Sequence, residues 1–122
     1  MALTSFADVQ NFLTNFCQDN GIGIATAKHG PFWNTTYKSF VNGNVPNVVD
    51  PNTNQPLPIL NKINGKYDAP SSNIVMALAG AGSLFDKNNP GAPIGQMPQG
   101  GPYMSDDQIQ EISGWITAQC PE

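Results

Sequence analysis

The run Gly95-Gln96-Met97-Pro98-Gln99-Gly100-Gly101-Pro102-Tyr103-Met104 constrains the chain most, because it cannot be helical and yet stops at a sharp helix start. Glycine is too free for a helix, and proline lacks the amide donor and fixes φ. Ser105 then stands at an N-cap position, Asp106 and Asp107 put negative charge at the positive end of the dipole, and Gln108 completes a capping box. Ile109, Ile112 and Ile116 recur at helical spacing beside Trp115, so this C-terminal helix must bury one face. A rigid loop therefore feeds a helix that needs an apolar partner.

Partners are visible upstream. Residues 4–18 read as a helix capped by Thr4 or Ser5, with Phe6, Val9, Phe12, Leu13, Phe16 and Cys17 on one stripe and Asn20-Gly21 as the stop. Trp33, Tyr37, Phe40 and Val41 predict a second helix over about residues 32–42, ended by Asn42-Gly43. Ser71 or Ser72 caps a third, running to Gly80 and holding Met76 as a core residue. Between them, Pro46, Pro51, Pro56, Pro58 and Pro70 with Asn64-Gly65 predict a surface excursion of turns, residues 57–63 being a short extended or helical piece.

The Met97-Pro98 loop followed by a short helix ending in Trp115-Ile116 resembles the C-terminal half of small c-type cytochromes. The resemblance covers roughly residues 4–30 and 70–120. It implies a single cytochrome-c-like domain over 1–122 that is mainly α, with three to four short helices joined by long Gly/Pro/Asn-rich loops and with the N- and C-terminal helices crossing. In that family the loop methionine is the distal haem ligand, which falls here on Met97, and the histidine of Cys-x-x-Cys-His is the proximal one. Here only Cys17 and His29-Gly30 remain, with 11 residues between Cys17 and His29 and no second cysteine; haem attachment through two cysteines is excluded. If the terminal helices cross, Cys17 and Cys120 meet and a disulfide would close a loop of about 100 residues, a stabilisation of about 4–5 kcal/mol in the chain-entropy model. Two reduced thiols are the equal alternative.

Composition removes several function classes. Five basic residues against nine acidic ones, a net charge of −4, leave no patch to neutralise phosphates, so nucleic acid is a poor partner. No apolar run approaches the roughly 18–20 residues needed to span a bilayer. Met1-Ala2-Leu3 leads into a polar helix without a basic n-region, so the expected location is cytoplasmic, or that of an exported protein trimmed to its mature form. Gly21-Ile22-Gly23 lacks the third glycine of a nucleotide loop. With one histidine, no nucleophile motif, and carboxylates paired only at Asp106-Asp107, where capping explains them, an enzyme is not expected.

Three readings follow. The first is a haem-free, cytochrome-c-like binding or accessory module that carries no cofactor, with the haem space filled by Trp33, Tyr37 and Phe40, and Met97 packed under the loop against Trp115. Related modules accompany oxidases, which makes an oxidase a candidate partner. The second keeps redox chemistry, with His29 and Met97 holding a non-covalent haem or a single copper. The third is a carbohydrate- or protein-binding module using Trp33, Tyr37, Tyr103 and loop asparagines.

Overall fold

The structure, a computed structural model, describes residues 3–24, 29–98 and 101–122. Met1-Ala2 of the leader reading, residues 25–28 ahead of His29, and Gln99-Gly100 of the proline loop lie outside the described residues. Four helices, α1 (Phe6–Asp19), α2 (Tyr37–Val41), α3 (Asn73–Ala79) and α4 (Asp106–Thr117), are joined by four strands. β1 (Asn44–Val49) pairs antiparallel with β2 (Pro56–Pro58), and β3 (Asn61–Ile63) with β4 (Lys66–Asp68). The architecture is thus an α+β mixture, which corrects the mainly α expectation.

The strands occupy the proline-rich excursion. Asn64 (φ 53°) and Gly65 (φ 79°) both take the left-handed conformation, which is what a two-residue hairpin loop matched to strand twist requires. That turn folds β3 onto β4 with Lys62 opposite Tyr67, and the Lys62 ammonium sits 4.6 Å from the Tyr67 ring centre. β1 is irregular, its register shifting between Asn44↔Pro58 and Val49↔Pro56, with Asn47 at φ 60°.

The ends of α1 and α4 follow the sequence closely, whereas Ser72 at the start of α3 makes no side-chain cap bond and donates instead to the Asp68 carbonyl. Ser5 Oγ accepts the Asp8 amide of α1, while the Asp8 carboxylate accepts the Thr4 amide and hydroxyl at 2.9 and 3.0 Å. Those bonds hold the Asp8 carboxyl below the usual range. At α4 the capping box is complete: Gln108 N–H donates to Ser105 Oγ and Ser105 N–H to Gln108 Oε1. α2 is shorter than expected, so Phe32 and Trp33 precede it in a turn.

α1 and α4 meet where Phe6 stacks on Trp115, ring centres 6.3 Å apart, and α4 also packs on α3 and β4. Phe40 fills the third side at 5.2 Å from Phe6 and 6.1 Å from Trp115. The chain end closes over this cluster. Trp115 Nε1–H donates to the Pro121 carbonyl, the Phe6 amide to Glu122, and the Tyr37 hydroxyl to the Cys120 carbonyl. The Gln119 carboxamide accepts from the Tyr67 amide and donates to its carbonyl, so it pairs with β4 as a strand would. Cys17 and Cys120 do not form the disulfide: both are free and buried. Burial pushes both thiols up, Cys120 to about 12.

The core is divided. The large cluster holds α1, α2, α4 and one face of α3, whereas Leu57, Leu84 and Phe85 form a second cluster with Val45, Val48, Met76, Ala77 and Ile94 packed on it. Small domains usually have one contiguous core with smaller satellite clusters under long loops, and Val45 packs against both clusters here.

Candidate functional site

A cavity of about 640 Å³ separates the clusters. From the large cluster it is walled by Ile22, Ile24, Phe32, Ile74 and Leu78; from the small one by Val45, Val48, Leu57, Phe85 and Ile94. Among the described residues, His29, Asn73 and Met97 supply the side-chain heteroatoms on its wall. The volume lies within the about 300–1,000 Å³ of small-molecule and cofactor sites. The aromatics expected to fill this space stand beside it. Phe32 touches the cavity with one face and lies parallel to Phe40, centres 6.3 Å apart, on the side of the core.

His29 and Asn73 are each oriented by a carbonyl that can only accept. His29, half-buried, has Nδ1 2.7 Å from the Gly30 carbonyl. A carbonyl only accepts, so Nδ1 carries a proton, and the imidazole tautomer this selects has its lone pair on Nε2. Phe32 buttresses the ring edge-on at 5.1 Å. Asn73, at the start of α3, donates Nδ2–H to the Pro58 carbonyl at 2.8 Å, which assigns its amide orientation and leaves Oδ1 as the free acceptor. Met97 contributes a thioether, also a lone-pair donor. Among the described residues, His29, Asn73 and Met97 can thus each present a lone pair to the cavity, and Asn73 keeps a second N–H beside its oxygen.

Met97 is held from behind. Its amide donates to the Ala77 carbonyl at 2.9 Å, and Gln96 Nε2 donates to Leu78 at 3.1 Å, so the proline loop is tied to the end of α3. Gly80 makes this approach possible. It caps α3 at φ 65°, and a Cβ there would stand 2.8 Å from both Gln96 Cδ and Lys87 Cβ. Gly80→Ala is expected to cost about 1–3 kcal/mol by combining left-handed strain with the clash, read from denaturant midpoints. A variant as stable as the parent would show that the loop does not depend on this contact.

The sequence candidates are thus sorted by position. His29 and Met97 come to one cavity, whereas Met97 is not packed on Trp115; Met104 is the methionine buried in that cluster. Trp33 is 4% exposed and spends its Nε1–H on Thr14 Oγ1. Tyr37 packs on Phe6, and Tyr103 is 49% exposed. None of these three lines the cavity, so they do not make the shared binding platform expected of them. Cys17 and Cys120 belong to the core and not to the wall. Among the described residues no group of three or more His, Cys, Asp or Glu side chains gathers. Asn73 escaped the sequence reading because its role depends on a carbonyl 15 residues away.

A second, smaller cleft of about 340 Å³ adjoins the first, sharing His29 and Phe32. Its side chains are of another kind: Asn34, Thr35, Ser39 and Asn44 beside Pro31 and Pro46. Comparison with protein-family models, curated proteins and solved structures finds no match for the chain.

Proposed function

We propose that this chain binds an iron porphyrin non-covalently between His29 and Met97 and serves as a one-electron carrier. The observation that supports this most is an apolar cavity lined by both an imidazole, with Nδ1 on the Gly30 carbonyl, and a thioether. An imidazole whose other nitrogen donates to a backbone carbonyl is the usual form of a metal-ligating histidine. A His/Met pair is one of the recognised axial sets for haem, and it raises the reduction potential. The chemistry such a group supplies when bound is one-electron exchange. The chain's own residues bind and orient it. His29 and Met97 ligate, the walls exclude water, and the Gly30 carbonyl keeps the imidazole aimed.

The donor set fits an iron porphyrin better than a lone copper ion. His29 and Met97 give two donors, while copper sites for electron transfer are built from two imidazoles and a thiolate with a weak axial group. Attachment is non-covalent because neither cysteine reaches the wall. The haem-free module is the alternative reading, and the cavity between the two clusters favours a bound ligand over it.

The test is a titration of the protein with hemin followed by absorbance. Saturation at one equivalent with a sharp, low-spin Soret band is expected. Met97→Ala should still bind, with a high-spin spectrum and affinity lower by on the order of tenfold. A linear, unsaturable response in the parent would overturn the proposal.

A further inference from the structure

Three places in the chain carry the same reactive dipeptide: Asn20-Gly21, Asn42-Gly43 and Asn64-Gly65. With no side chain on the second residue, its backbone nitrogen can reach the asparagine carboxamide carbon and close a five-membered ring. Closure needs a free carboxamide, a free amide N–H and a peptide plane that can rotate. All three asparagines are exposed, so solvent access does not separate them. The surrounding backbone does. At the end of α1 the Asn20 carboxamide donates to the Phe16 carbonyl at 2.9 Å and the Gly21 amide to the Gln18 carbonyl at 3.3 Å. At the end of α2 the Gly43 carbonyl accepts the Ile59 amide at 3.1 Å, and a Cβ on Gly43 would stand 1.9 Å from the Ser39 carbonyl oxygen. Neither peptide plane turns without breaking these contacts.

The geometry points to Asn64 as the site at which the folded protein deamidates without an enzyme, whether or not a ligand is bound. Among the described residues nothing hydrogen-bonds the Asn64 carboxamide or the Gly65 amide, and a Cβ on Gly65 would meet nothing within 4 Å. Both residues have positive φ. A flip of the plane between them interconverts the two loop types that two-residue hairpins use, so the Ile63–Lys66 pair stays in place. The Gly65 nitrogen then attacks the Asn64 side-chain carbon. The bond from that carbon to Nδ2 breaks, and the Gly65 amide proton leaves with Nδ2 as ammonia. Water opens the resulting succinimide. Opening at the side-chain carbon leaves an aspartate; opening at the backbone carbonyl leaves an isoaspartate, with the main chain running through the former side chain. Either product sets a carboxylate two residues from both Lys62 and Lys66. The isoaspartate also adds a main-chain atom to a loop that strand twist limits to two residues, so it pushes β3 and β4 out of register.

The three sites serve as one another's controls. The intact protein is incubated in mildly alkaline buffer, sampled over time and mapped by peptide mass spectrometry, which reads each conversion of carboxamide to carboxylate at its own residue. Electron-transfer fragmentation tells isoaspartate from aspartate. Asn64 is expected to convert roughly tenfold faster than Asn20 or Asn42, the factor that one or two intramolecular hydrogen bonds supply. The same incubation in guanidinium chloride should bring the three rates together, because the unfolded dipeptides are equivalent. A native chain in which all three convert alike, or in which Asn20 or Asn42 leads, overturns the inference. So does an Asn64 that stays intact in the native chain over the time in which the unfolded chain converts. A hierarchy that persists in denaturant overturns it as well, since the cause would then be local sequence and not the fold.

Discussion

Trp115→Ala is expected to destabilise the fold by about 3–5 kcal/mol and to lower the thermal midpoint by roughly 10 °C or more. Trp115 is 1% exposed and stands where four parts of the chain converge. Its ring stacks on Phe6 of α1 and meets Phe40 of α2 edge-on, and its Nε1–H holds the Pro121 carbonyl. Truncation removes the largest fully buried side chain, leaves a void among rings that cannot collapse into it, and frees the chain end that closes the cluster. Domains of this size hold only about 5–15 kcal/mol in total, so the loss is a large share. Tyr103→Ala, at an exposed ring, should change stability by no more than about 0.5 kcal/mol. Matching denaturation midpoints for the two variants would show that the aromatic cluster is not what joins the terminal helices.

That cluster was legible because its signals are local. The Phe6 to Phe16 stripe, the Ser105 cap with Gln108, and the Ile109/Ile112/Ile116 spacing each lie within one helix, and each appears where the pattern puts it. The strands were not legible for the opposite reason. β2, β3 and β4 are three residues each, too short to show alternation. Pro46, Pro56 and Pro58 lie inside strands, where proline ordinarily argues against one. Short edge pairs escape that penalty, since a proline facing outward forfeits no ladder bond. Asn64-Gly65 was the available signal, a dipeptide that demands two left-handed residues and so favours a hairpin over an open turn.

The site divides the same way. His29 and Met97 could be picked as a pair because each is chemically distinctive. What surrounds them could not, since a cavity is a property of how two clusters fail to touch. Counting aromatics suggested that the space would be filled. Yet Phe40, Trp33 and Tyr37 face the terminal helices, and Phe32 alone of that group reaches the wall. Volume can be summed from a sequence, but its direction depends on how α2 and the turn before it aim each ring.

His29→Ala is expected to weaken hemin binding on the order of 100-fold or more and to abolish the low-spin spectrum, with little change in stability. The asymmetry follows from position. His29 sits on a turn, half-buried, and among the described residues its ring hydrogen-bonds only to the carbonyl of the next residue, so the fold has little to lose. The binding step has much to lose, because the remaining heteroatoms on the wall are a thioether and a carboxamide oxygen, both weak ligands for iron. Free imidazole added to the variant should restore the low-spin band by occupying the space the side chain left, as no purely structural role for His29 would predict. Cys17→Ala serves as the contrast. That thiol lies in the core away from the cavity wall, so its removal should lower stability and leave the hemin spectrum unchanged. Were Cys17→Ala to lose the band while His29→Ala kept it, the ligand would be the sulfur at the end of α1, and the cavity between the two clusters would not be the site.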